Sequence, residues 1–236
     1  VVGLSDCSEA VVPRSRVRRK ENYQVTQRRL EACQLAKKML KKKRVTDADV
    51  LEVLRSWAFV PNPMRKNVIP EGESWVYSDT LGLVNSRSES CTRSRLAVVY
   101  PEMMHFLSRW LQDNRPRSWK SPFPFTSINI NFAYAARLHR DGRNAGPSIL
   151  RTLGAFQGGR LEYFPDDDGS LGLDVLKRLP ANPRTSGAGG GIFLDAYKKF
   201  CLISGSRAHS VEEFVGERFS VVFFTCNSYP KASPRL

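Results

Sequence analysis

His139, Asp141 and His209 are the residues of this chain whose types and order could do chemistry. Two imidazoles and one carboxylate can hold one face of a first-row metal ion. The opposite positions stay open, as a non-haem ferrous ion requires to activate oxygen. The chain has three histidines in 236 residues, and two of them fall into this set. The third, His105, lies in the apolar-periodic run Met103–Leu107 behind Pro101, which reads as an amphipathic helix with proline at its start. It is therefore read as structural or exposed. Nine residues after His209 comes Arg218, with Ser220 two further on. A guanidinium can clamp a carboxylate through two parallel hydrogen bonds, so one site could hold a metal beside a dicarboxylate.

The surrounding elements must bring these groups together. On a strand, His139 and Asp141 point the same way, being two residues apart. Arg207–Val211 reads as a short strand and Glu212–Glu217, with Gly216, as a turn. Residues 218–225, Arg-Phe-Ser-Val-Val-Phe-Phe-Thr, form the strongest strand signal in the chain. The expectation is a hairpin that sets His209 and Arg218 on neighbouring strands, with Arg218 and Ser220 on one face. A guanidinium and a hydroxyl pack poorly in a barrel interior unless something anionic sits there. The alternative is a buried arginine paired with a carboxylate of the chain itself. Residues 128–134, Ile-Asn-Ile-Asn-Phe-Ala-Tyr, alternate before the first histidine, so Asn129 and Asn131 share one face and Tyr134 takes the other. A plain structural strand explains these three residues equally well.

The segment from about Ser127 to Thr225 resembles the iron- and 2-oxoglutarate-dependent dioxygenases. It covers roughly 100 of the 236 residues. The resemblance implies an α+β chain with a mainly β core, a double-stranded β-helix of the jelly-roll or cupin-like kind with supporting helices. It implies His139, Asp141 and His209 as ligands of Fe(II), and Arg218 and Ser220 as holders of the distal carboxylate of 2-oxoglutarate. Asn129, Asn131 and Tyr134 would help to hold that co-substrate, and O2 would be the oxidant. Phe156-Gln-Gly-Gly-Arg-Leu161 is similar to a Gly-Gly-x-Leu element common in these enzymes. Residues 139–148, His-Arg-Asp-Gly-Arg-Asn-Ala-Gly-Pro-Ser, are similar to the region after the metal motif in the nucleobase oxygenases of the ten-eleven translocation and base J type. Gly-Gly-x-Leu is equally typical of prolyl-hydroxylase-like proteins, and the Asn131/Tyr134 spacing departs from the AlkB-type pattern. The activity implied is C–H hydroxylation of a modified pyrimidine methyl in nucleic acid. The alternatives are a prolyl-type hydroxylase, and a non-catalytic basic nucleic-acid-binding protein on an oxygenase scaffold.

Composition limits the rest. A chain of this length buries one sizeable core with room for a small appended unit, so residues 1–60 are read as a basic arm with short helices and 61–236 as the dioxygenase domain. Five scattered cysteines without a Cys-x-x-Cys suggest neither zinc nor a disulfide framework, and a reducing, intracellular setting suits them. No run of eighteen apolar residues exists, so no membrane helix is expected. The start at Val1, without methionine or an apolar signal core, is read as a fragment or processed form.

The formal charge of +14 is uneven. Residues 1–55 hold 14 Lys or Arg against 7 Asp or Glu, whereas residues 121–236 hold 14 against 10. Arg14–Lys20 reads as a disordered arm and Asn22–Lys43 as a helix ending in cations, with Thr46 capping a second helix through Leu54. This is the footprint of a DNA or RNA partner, although a nuclear import signal or a solvated face explains the same charge. Oligomeric state is not legible. In the middle, Val60–Met64 reads as linker, and Trp75–Val84 and Leu96–Tyr100 as peripheral strands. Arg115–Lys120 is a basic loop over the core, and Asp166–Asp168 an acidic turn without the further ligands of a divalent-ion loop. Thr185–Gly191 reads as a mobile insert at the barrel mouth.

Overall fold

In the computed structural model, residues 14–85, 91–119, 121–178, 191–197 and 199–232 are described, with side chains of the first helix from Tyr23 onward. The helices are α1 (Arg14–Leu40), α2 (Asp47–Ser56), α3 (Arg95–Val99), α4 (Pro101–Asn114) and α5 (Leu173–Arg178). The strands are β1 (Pro61–Asn62), β2 (Val76–Asn85), β3 (Cys91–Arg93), β4 (Ser127–Phe132), β5 (Asn144–Gly158) and β6 (Leu161–Tyr163). They continue with β7 (Ile192–Leu194), β8 (Cys201–Ser204), β9 (His209–Val211) and β10 (Phe214–Cys226). The side chains of the basic stretch at 14–20 and most of the glycine-rich stretch at 185–191 lie outside the described residues.

Seven strands form an antiparallel major sheet in the order β1-β2-β4-β10-β5-β8, with β3 paired to β2. Three form a minor sheet, β7-β6-β9. Period-two alternation gives the major sheet two different faces. Ile128 and Ile130 of β4, and Phe219, Val221 and Phe223 of β10, join one buried cluster with Ala32, Ala36, Val50, Leu54, Phe106 and Trp110 of the helices. Asn129, Asn131, Arg218 and Ser220, on the intervening positions, turn to the other side and line a cavity. Further along, Leu150 and Val222 meet Leu161, Tyr163 and Val211 of the minor sheet. This mixed α+β architecture with two packed antiparallel sheets is consistent with a double-stranded β-helix.

The helices form where local chemistry favours them. Thr46 caps α2 by a capping box, its hydroxyl accepting from Asp49 N–H while the Asp49 carboxylate accepts from Thr46 N–H. Pro101 opens α4, whose His105 is exposed. The run at 14–20 that reads as an arm belongs to the first turns of α1. Leu96–Tyr100, expected as a strand, overlaps α3 instead, because the Ser94 hydroxyl accepts from Ala97 N–H and starts a helical turn. Trp75–Val84 does supply a strand, but β2 lies inside the major sheet between β1 and β4 rather than at its periphery.

Candidate active site

The expected hairpin between His209 and Arg218 does not form. β9 pairs with β6, and β10 lies between β4 and β5. The chain passes from one sheet to the other through Glu212–Glu213, so His209 and Arg218 reach one cavity from different sheets. Gly216, which reads as a turn residue, is a strand residue opposite Phe156. A Cβ there would lie 2.3 Å from the Ala155 carbonyl oxygen, so the glycine permits a close backbone approach.

His139 and His209 exchange backbone N–H···O bonds of 3.0 Å each, which adds the His139 segment to the β9 edge of the minor sheet. Asp141 lies beyond that bridge in the turn toward β5, not on a strand, and its N–H donates to the Gly205 carbonyl at 2.7 Å. Its side chain nevertheless meets both imidazoles. His139 Nε2 is 3.7 Å from Oδ1 and His209 Nε2 is 3.9 Å from Oδ2. One ligand atom from each residue lies within 4.8 Å of the others.

Both rings are fixed in the same way. His139 Nδ1 is 2.8 Å from the Arg137 carbonyl oxygen and His209 Nδ1 is 2.8 Å from that of Arg207. A carbonyl only accepts, so each Nδ1 carries a proton, and each Nε2 faces Asp141. Burial, then the neighbouring His209, pushes the His139 pKa down to about 4, which favours the neutral imidazole. This donor set fits a divalent first-row ion with part of its coordination left open.

Arg218 is 4 % exposed, and burial pulls its pKa down to about 10, so it remains a cation at neutral pH. Its guanidinium lies 5.5 Å from the Phe156 ring and 5.3 Å from that of Phe214, and its Nε has no hydrogen-bond partner among the described residues. Among the described residues no carboxylate pairs with it, contrary to the alternative of an internal ion pair. Gly159, at φ +67°, makes room for it, since a Cβ there would fall 2.8 Å from Arg218 Nε. Ser220 Oγ accepts from Asn131 Nδ2 at 3.1 Å, and Asn131 Oδ1 accepts from the Tyr134 hydroxyl at 2.7 Å. Tyr134 does not take the opposite face. The strand ends at Phe132, Ala133 adopts φ 54°, and the chain turns Tyr134 back to the site. Burial pushes the Tyr134 phenol up, so it stays a neutral donor. The Asn129 amide is occupied by the hydroxyls of Ser78 and Thr80 on β2, at 3.2 and 3.1 Å. Asn129, Asn131, Tyr134, Arg218 and Ser220 line one cavity of about 780 Å³ with the triad.

Arg140 and Asp167 escaped the sequence reading. The Asp167 carboxylate accepts from Arg140 Nε at 2.7 Å and from Ala208 N–H at 2.6 Å. It thereby ties the residue after His139 to the residue before His209. An acidic turn 27 residues from its partner gives no periodic signal for such a contact.

No protein-family model matches the chain, and no curated protein matches it. Among solved structures, the chain is similar to NgTET1 in complex with 5mC DNA at TM-score 0.39 and 16% identity, over 64% of this chain and 61% of that one. It is also similar to a prolyl-4-hydroxylase of Pseudomonas putida at TM-score 0.31 and 15% identity, over 68% of this chain and 77% of that one. The chain thus spans about three-fifths of the length of NgTET1. Likenesses this distant do not separate a nucleobase oxidase from a prolyl hydroxylase.

Proposed function

We propose that the protein is an Fe(II)- and 2-oxoglutarate-dependent dioxygenase acting on the methyl group of a modified pyrimidine in nucleic acid. The observation that carries the first part is Arg218: a buried, charged guanidinium with no carboxylate partner among the described residues, in the same cavity as a His/Asp/His group. An unpaired buried cation is costly and calls for an anion. His139, Asp141 and His209 hold the metal, Arg218 and Ser220 hold the far carboxylate of 2-oxoglutarate, and Asn131 and Tyr134 orient Ser220. The bound metal, 2-oxoglutarate and O2 supply hydroxylation of a C–H bond coupled to decarboxylation to succinate and carbon dioxide. The chain's own part is to orient both imidazoles through their Nδ1 bonds to backbone carbonyls and to neutralise the dicarboxylate. Nucleic acid as substrate is supported by the charge of +14 and the exposed Lys38 and Lys41–Arg44 around the end of α1. A target base must be flipped out or already unpaired to enter such a cavity.

The test is anaerobic reconstitution with Fe(II) and 2-oxoglutarate, followed by visible spectroscopy. A weak charge-transfer band present in the wild type and absent from His139→Ala is the expected result. Succinate release should then depend on methylated DNA or RNA. A folded, iron-loaded protein without the band overturns the dioxygenase reading. Turnover on prolyl peptides alone overturns the nucleic-acid substrate.

A further inference from the structure

The cavity is larger than a metal ion and a five-carbon dicarboxylate would fill, and its charge is unbalanced. Among the described residues, its charged lining is Arg65, Arg140, Arg143, Arg218 and a single carboxylate, Asp141. Arg140 is neutralised by Asp167 at 2.6 Å. On the dioxygenase reading, on which this inference rests, the ferrous ion and Arg218 are matched by the dicarboxylate and Asp141. Arg65 and Arg143 are left without a counter-charge, and neither has an ion-pair partner among the described residues.

Arg65 is the more informative of the two. Its Nε is buried without a hydrogen-bond partner among the described residues, whereas Arg143 is exposed at the rim. The Arg65 backbone is held, not loose. The Arg65 carbonyl accepts from Val68 N–H at 3.0 Å, and the Arg137 guanidinium donates to the carbonyls of Lys66 and Asn67 at 2.5 and 3.2 Å. The carbonyl of that same Arg137 takes the Nδ1 proton of His139. The loop that carries Arg65 is therefore stitched to the segment that aims a metal ligand. Arg65 lines the same cavity as Tyr134 and His139. A cation on a fixed loop that lines this cavity, and is left without an ion-pair partner among the described residues, is a binding group. Its planar fork suits an oxyanion.

We propose that Arg65, assisted by Arg143, binds a phosphate group of the primary substrate, so that the C–H bond attacked belongs to a nucleotide unit. Two uncompensated guanidiniums match the charge of a phosphate better than that of one carboxylate. A neutral prolyl side chain would leave both unmatched.

The test is calorimetric titration of the full chain, loaded with Mn(II) and 2-oxoglutarate under nitrogen. The probes are 5-methyl-2′-deoxycytidine 5′-monophosphate, the same nucleoside without phosphate, N-acetylglutamate and a proline-containing peptide. The nucleotide should bind about tenfold or more tighter than the nucleoside, and Arg65→Gln should erase that preference while leaving 2-oxoglutarate affinity and melting temperature unchanged. The exposed Arg143→Gln serves if Arg65→Gln fails to fold, and should lower the preference about threefold. Normal 2-oxoglutarate binding with a nucleotide preference unaffected by these variants overturns the inference and leaves the dioxygenase reading standing. So does tighter binding of N-acetylglutamate or of the peptide. Failure of the wild type to bind 2-oxoglutarate overturns the dioxygenase reading and, with it, the charge balance used here.

Discussion

Arg218 brings a full charge to a position 4 % exposed, between two aromatic rings and beside a glycine that only just clears it. A buried guanidinium without a carboxylate partner is costly, and a bound anion would offset that cost. Arg218→Lys keeps the charge but replaces a planar fork with a point charge. Losing one charge-assisted hydrogen bond costs about 1.5–3 kcal/mol, so 2-oxoglutarate affinity should fall roughly 10- to 150-fold. Calorimetric titration of the metal-loaded variant checks this, and unchanged affinity would show that the co-substrate does not use the fork. At this scale the sequence is informative, because histidines are few and Arg218 and Ser220 alternate within an unmistakable strand. Tyr134 is not legible. Its direction depends on Ala133 leaving the strand at φ 54°, a local event that alternation cannot register.

At the level of elements, His139 and His209 of the candidate metal site meet at the edge of the minor sheet, where a two-residue bridge would fray if nothing else held it. The Arg140–Asp167 pair supplies the hold, since Asp167 is bonded both to Arg140 and to the N–H of Ala208. Arg140 first, then the N–H groups of Ala208 and Gly169, hold the Asp167 carboxyl below the usual carboxylate range against the opposing effect of burial. A carboxyl depressed in the folded state adds stability that is present above its unfolded pKa, about 4. That stability is lost as pH falls through the lower folded value. Asp167→Asn should therefore cost roughly 1.5–3 kcal/mol at pH 7. It should also flatten the loss of stability below about pH 4. Urea unfolding of both proteins at pH 7 and pH 3 measures this, and an equal cost at both values would remove the carboxylate from the argument. Pairing is where the sequence misleads. Residues 207–225 read as two strands with a turn glycine between them, a hairpin, whereas Gly216 lies within β10. Which sheet a strand joins is decided by partners far away in the chain, here Tyr163 for His209 and Gly154 for Arg218.

Across the whole molecule, the N-terminal helices are bound into the same core as the major sheet. Ala32, Ala36, Val50 and Trp57 share one apolar cluster with Ile128, Phe219 and Phe223. Arg29 bonds Asp79 of β2 at 2.7 Å and lies 4.7 Å from the Trp57 ring. The sequence shows the helices and their charge but not this union, because the apolar stripe of α1 is short and surrounded by cations. Deleting the basic segment would expose the core and confuse folding with binding. The informative change is confined to charge. Lys38, Lys41 and Lys43 are exposed and free of ion pairs among the described residues, unlike Lys37, which pairs with Glu102, and Lys42, which pairs with Asp49. Replacing these three by glutamine should leave the unfolding free energy within about 0.5 kcal/mol of the wild type. If each neutralises one phosphate, the slope of log K against log salt for duplex DNA should become shallower by about 2 to 3. Titrations at several salt concentrations measure that slope. An unchanged slope in the stable variant would move nucleic-acid contact away from this helix end, and leave the cations at the cavity as the ones that meet the substrate.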